Sequence, residues 1–388
     1  MKKFLSSFVL IFLFVISIGV VGCGHSHAYS TTVINPTKTT NGYTRHSCEC
    51  GEFYDDTYTC LISFESTSQG NSVSPSSLPQ IASKIVALGS VFEKIDNTND
   101  YKIVNYVNLT PNQTVLNSTT VTLVWQAYTQ AEKDCLNIVA KFEKLLELSK
   151  NYSSENVLLR ATQYIRTAKY TTNAWNIVGG NIDENFITYV TQNQGNINVA
   201  SLRETATLTS PVSNELIDFI HMFAVINGIE NTSSINSGSA DLAGWAGDLC
   251  TLVQEIVNAG ATGSQIQELA SQEFNSNTST FGSQDLVADL DAVNIMQNYY
   301  NSTNKTFSQV LTDYYFSTSK AERKTQFIQN VFGKTYSNAS QMVTDIMTRL
   351  KNNFLITYFC NTLGINLTTH EAQFIACATA FANYFFEN

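Results

Sequence analysis

The sequence predicts a mainly α fold: a multi-helix, bundle-like globular protein behind a short, disulfide-rich, irregular N-terminal segment. Three observations predict it. Apolar residues recur at three- and four-residue spacing through most of the chain after residue 77. Proline is scarce, at 5 of 388 residues. Hydrophobic content of 43% against 14% charge is that of a chain that buries a core.

Residues 1–24 read as a secretory signal. Lys2 and Lys3 precede an apolar run over residues 8–21, and the small residues Gly22 and Gly24 follow where a peptidase cuts. The run approaches the length of a bilayer span, but the Gly-Cys-Gly break and the polar tract after it predict cleavage, so no stable membrane span is expected after signal removal. The mature protein is then secreted, extracellular or lumenal. Val20-Val21-Gly22-Cys23 also resembles the lipobox of bacterial lipoproteins, which implies a lipid anchor at Cys23. Cutting after Gly24 or Ala28 gives a free protein instead.

Residues 25–76 are rich in Thr, Ser and Gly, with one alternating run at 57–64, and form the irregular N-terminal segment. Cysteines at 48, 50, 60, 135, 250, 360 and 377 follow. In an exported chain their default state is disulfides. Cys48-Glu-Cys50 lacks the two-residue spacing of zinc knuckles, so no metal and no cofactor is expected. About ten Asn-x-Ser/Thr sequons suit a glycoprotein, although composition alone supplies about eight.

A helical bundle region is predicted over 77–200. Leu78, Ile81, Ile85, Leu88 and Phe92 share one helical face, while 101–109 alternates weakly as a strand. The longest helix is expected at 119–150, where Val121, Val124, Tyr128, Ala131, Cys135, Ile138, Phe142 and Leu145 form a seam. Its charges lie off the seam and read as a solvated face. The polar stretch 194–213 marks a boundary, and residues 201–388 form a second helical domain carrying the candidate site. Helices there are predicted near 213–228, 241–258, 264–273, 283–300, 305–316, 319–332, 338–359 and 368–386.

A net charge of -10 and a pI near 5.0 exclude nucleic acid as a partner, because no basic stripe is present to displace counterions. No nucleophile elbow, HExxH, P-loop or dinucleotide fingerprint occurs. What remains is a set of ionisable groups among apolar helices: His221, Asp241, Asp248, Asp289 and Asp291. Asp218 and His221 are three apart on one helical face, where a carboxylate can orient an imidazole. Trp245, between Gly244 and Gly247 and bracketed by Asp241 and Asp248, is suited to stacking on a sugar. Asp291 and Asn294 put polar groups toward the core unless they line a cleft.

The pattern predicts a hydrolase acting on an extracellular polymer such as cell-wall glycan or peptide. His221, Asp241, Asp248 and Asp291 are its acid/base candidates, and Trp245 and Asn294 its substrate-binding candidates. This reading requires the acid/base groups to share one pocket. The competing reading is a non-enzymatic helical glycoprotein for adhesion or signalling, in which each of them is satisfied separately.

Overall fold

A computed structural model describes residues 26–71, 73–276 and 282–387. The predicted signal, Cys23, His25 and the sequon at Asn277 lie outside the described residues. The chain divides into two compact units, one ending at Tyr128 and the other beginning at Thr129.

The first unit overturns the mainly α expectation. Six strands form one sheet: β1 (Tyr29–Ile34), β2 (Gly42–Cys48), β3 (Phe53–Ser68), β4 (Lys84–Ala87), β5 (Tyr101–Val107) and β6 (Thr119–Ala127). With 14 helices among the described residues the composition is 52% helix and 16% strand, a mixed α/β protein. The sheet order is β1-β2-β3-β6-β5, with β4 beside β3. β3 pairs antiparallel with β2 and β4 and parallel with β6.

Period-two burial holds this sheet. Cys60 and Ile62 on β3, and Val121, Leu123 and Trp125 on β6, turn inward onto Leu78, Phe92, Leu109 and Val115. The Trp125 indole donates to Ser66 Oγ at 3.1 Å, so its buried N–H is satisfied.

The helix expected at 119–150 therefore begins only at Gln130. Val121 and Val124 fit a helical spacing, but Val121, Leu123 and Trp125 fit a strand, and the β-branched run Thr119 to Thr122 favours the strand. Residues 77–92 are not a helix either. Pro75 opens a 3-10 turn, Pro79 blocks a helix, and although Leu78 and Phe92 are buried, Ile85 and Leu88 remain exposed.

Among the described residues no two of Cys48, Cys50, Cys60, Cys135, Cys250, Cys360 and Cys377 lie at disulfide distance. The sheet ladder orders the N-terminal segment. Cys250 and Cys360 touch at 3.4 Å, beyond the ~2.05 Å of a covalent bond. Cys48 and Cys50 sit together, and the Cys50 thiol holds the Cys48 pKa down at about 7.

The second unit is helical. Its helices are α1 (Gln130–Tyr152), α2 (Val157–Arg166), α3 (Asn173–Gly179), α4 (Glu184–Asn193), α5 (Phe219–Thr232), α6 (Gly238–Ala243), α7 (Trp245–Asn258), α8 (Ser264–Phe274), α9 (Ser283–Asn301), α10 (Phe307–Ser317), α11 (Lys320–Phe332), α12 (Ala339–Asn352), α13 (Phe354–Thr362) and α14 (Glu371–Phe386). Thr129 and Glu132 start α1 with a reciprocal capping box. The polar stretch 194–213 lies within this unit, where a 3-10 turn leads into the hairpin β7 (Thr207–Thr209) and β8 (Leu216–Asp218).

Helix α5 is the centre of the unit. Phe219 to Ile229 are buried all round, which requires neighbours on every side, and α2 and α9 pack against it. Among the described residues no helix is long and apolar enough to cross a membrane.

Alkylation of the unreduced chain in denaturant is expected to label all seven of these thiols, and in the native state Cys48 and Cys50 before the buried Cys135, Cys250, Cys360 and Cys377. Peptide mapping by mass spectrometry reads both counts.

Candidate active site

Three helix starts meet at one cavity of about 350 Å³ in the second unit. Asp218 caps α5, its Oδ1 accepting from the His221 amide at 2.8 Å, and this places the His221 ring in the first turn. Asp248 lies in the first turn of α7. Asp285 lies in the first turn of α9, where its Oδ2 accepts from Gly282 N at 2.8 Å. The N-terminal ends of helices favour negative charge, and each start brings a carboxylate to the cavity wall.

Two glycines permit the approach. Gly244 separates α6 from α7, and a Cβ there would meet Asp289 Oδ1 at 3.0 Å and Val225 at 3.2 Å. A Cβ on Gly247 would sit 2.0 Å from the Leu242 carbonyl. These residues flank Trp245 because the backbone here has no space for a side chain.

His221 is at the base of the cavity. Its Nε2 lies 2.9 Å from Asp289 Oδ1 and 3.0 Å from Asp248 Oδ2. Its Nδ1 faces the Tyr170 hydroxyl at 3.2 Å. Burial opposes protonation of the ring, but the carboxylate of Asp248, the Tyr170 hydroxyl and Asp289 overcome it and hold the pKa well above the usual histidine value. Asp289 is fully buried, and burial, reinforced by Asp248, pushes its pKa well up. Asp248 is the more open partner, with 16% of its side chain exposed toward the cavity.

The walls combine charge with aromatic surface. Tyr170, Trp175 and Phe359 are aromatic, and the Tyr170 and Trp175 rings lie 4.5 Å apart. Lys169 pairs with Asp218 at 3.0 Å and stays half exposed. Asp285 also lines the cavity, and its burial raises its pKa to about 6.

Of the predicted site residues, the structure brings His221 and Asp248 together and adds Asp289, which the sequence had grouped with them. It takes the others elsewhere. Asp241 receives Arg349 on both oxygens, at 2.8 and 3.0 Å, and the Trp245 indole at 3.1 Å. Trp245 itself is core, packed on Phe332 and Phe381. Asp291 is gripped by Arg323 and by the Tyr314 hydroxyl, at 2.5 and 2.6 Å. Asn294 donates to the Arg323 carbonyl at 2.9 Å and to Tyr314 at 3.3 Å.

Asp241 and Asp291 are thus neutralised by arginines more than 30 residues away in sequence, and none of these four residues lines the cavity. The sequence reading missed Tyr170, Trp175 and Lys169, which lie around a short helix with no motif to mark them. Asp285 was not among the candidates either; its side chain serves both the helix start and the cavity wall.

Arg323 and Asp291 are both fully buried, and Arg323 also pairs with Glu215, which remains its carboxylate when Asp291 is removed. Asp291→Ala is expected to cost about 3 kcal/mol in denaturant unfolding, the low end for a broken buried pair, while leaving the cavity residues intact. A loss below about 1 kcal/mol would show that the pair is not the buried brace described here.

Comparison with known proteins gives a partial match. The family model described as YkzU uncharacterised protein matches residues 221–388, a stretch that contains His221, Asp248 and Asp289. Uncharacterized protein YkzU of Bacillus subtilis (strain 168) is 30% identical over 120 residues, covering 28% of this chain and 63% of that protein. The chain thus spans less than two thirds of the length of this curated relative. No solved structure matches.

Proposed function

We propose that the second unit is a hydrolase, and that its substrate is an extracellular polymer, cell-wall glycan before peptide. One observation carries the reading: a cavity with three carboxyl groups, Asp218 paired with Lys169 and Asp248 and Asp285 without a lysine or arginine partner, on walls that also hold Tyr170, Trp175 and Phe359. Aromatic faces beside paired carboxyls suit a sugar ring, which offers apolar C–H surface to stack and a glycosidic oxygen to protonate. About 350 Å³ is at the lower end for a ligand site, which fits one or two units of a chain better than a long segment.

In the proposed reaction Asp248 takes a proton from water as the water oxygen bonds to the anomeric carbon. Asp285 gives its proton to the departing glycosidic oxygen, and solvent restores both groups. A carboxyl with a pKa near 6 retains a proton for this step in mildly acidic surroundings. His221 lies at the base of the cavity beside Asp248. It is a positioning residue that fixes Asp248 from beneath. The predicted signal at residues 1–24 supports action outside the cytosol.

Purified protein incubated with peptidoglycan, chitin oligosaccharides and a casein digest is expected to release reducing ends from a glycan. Asp248→Asn and Asp285→Asn should each lower the rate by about 100-fold or more, and Trp175→Ala should raise KM. New amino groups without reducing ends would transfer the reading to a peptide bond. Folded wild-type protein that releases neither, or full activity in Asp248→Asn, would overturn it.

A further inference from the structure

We infer that His221, Asp248 and Asp289 form a binding site for one divalent transition cation, such as zinc or manganese. A buried carboxylate, Asp289, and a partly exposed one, Asp248, face one imidazole nitrogen, at 2.9 and 3.0 Å. If Nε2 carries a proton, that single N–H satisfies Asp289 Oδ1. Asp248 Oδ2 and Asp289 Oδ2 remain buried without a hydrogen-bond partner among the described residues. If Nε2 carries none, its lone pair faces two anionic oxygens at contact distance. While both carboxylates are ionised, one proton leaves the cluster short of positive charge in either state, whereas a divalent ion serves all three groups at once.

The spacing fits such an ion. Ligands about 2.1 Å from a metal and at right angles to each other lie about 3.0 Å apart. The donor atoms of the three residues all lie within 4.8 Å of one another. One imidazole and two carboxylates suit zinc or manganese better than soft copper(I) or hard calcium. Tyr170 completes the outer layer: with Nδ1–H donated to its hydroxyl oxygen, Nε2 keeps its lone pair for the ion. Asp248 opens the site to the cavity, which leaves coordination positions for water or substrate.

This inference concerns the same site as the hydrolase reading and deepens it: the ion engages Asp248 through Oδ2 and leaves its other oxygen on the cavity wall for the proton transfer. It rests on the cluster geometry and not on polymer cleavage. The test therefore uses no substrate. A second group of donors, His27, Cys48 and Cys50, can also take zinc, so the full chain should carry Cys48→Ser and Cys50→Ser. After chelation and dialysis, this protein is titrated with Mn2+ and with Zn2+ by calorimetry and by thermal melting.

One equivalent should bind, with a rise in Tm. Asp289→Asn should weaken binding by about 100-fold or more, and Tyr170→Phe by about 10-fold to 100-fold. Circular dichroism of each variant without metal establishes that it is folded, and Tyr170→Phe carries the test if Asp289→Asn is not. No binding below millimolar ion by the folded parent would overturn the inference, as would undiminished binding in the folded variants. A cation bound by a protein that cuts no polymer would leave it standing and remove the hydrolase reading alone.

Discussion

One imidazole nitrogen facing two carboxylates is the constraint on which the second unit turns. His221, Asp248 and Asp289 lie on three different helices, α5, α7 and α9, so the cluster exists only when all three are packed. Burying like charges is costly unless something offsets them. Part of the offset is structural. Asp218 caps its helix, Asp285 and Asp248 sit in the first turns of theirs, and each helix presents its positive end where the acids gather. Lys169 adds a cation at the Asp218 edge.

The same unit shows two other treatments of buried acid. Asp291 is held by Arg323 and Asp241 by Arg349, with two nitrogen-to-oxygen contacts in each pair. A guanidinium fork can use both oxygens of a carboxylate, which is why these acids are quiet. At His221 no arginine arrives. The contrast between forked pairs and a single imidazole separates structural acids from the candidate site better than burial does, since all of them are largely buried.

Much of the second unit was legible in the sequence. The helices predicted near 264–273, 283–300 and 319–332 match α8, α9 and α11 within about two residues, because long amphipathic repeats and capping residues such as Ser319 declare themselves locally. The first unit was not. Its strands carry polar residues on one face, and β6 is followed almost at once by α1, so a single apolar series fitted a helix across both. The site was half legible for a related reason. Asp241 and Asp248 bracket Trp245 evenly in the sequence, yet Arg349 decides the fate of one and His221 that of the other. Such partners, more than a hundred and about thirty residues away, leave no local trace. Tyr170 and Trp175 came to the cavity in the same way.

The central claim, that these three groups hold a cation, is tested most directly by diffraction from crystals grown with Mn2+ and measured for anomalous scattering. The account predicts one strong peak about 2.0–2.3 Å from His221 Nε2, with oxygens of Asp248 and Asp289 at similar distance. An ordered cluster with no peak, His221 Nε2 bonded to Asp289 alone and both unpartnered oxygens solvated, would contradict it.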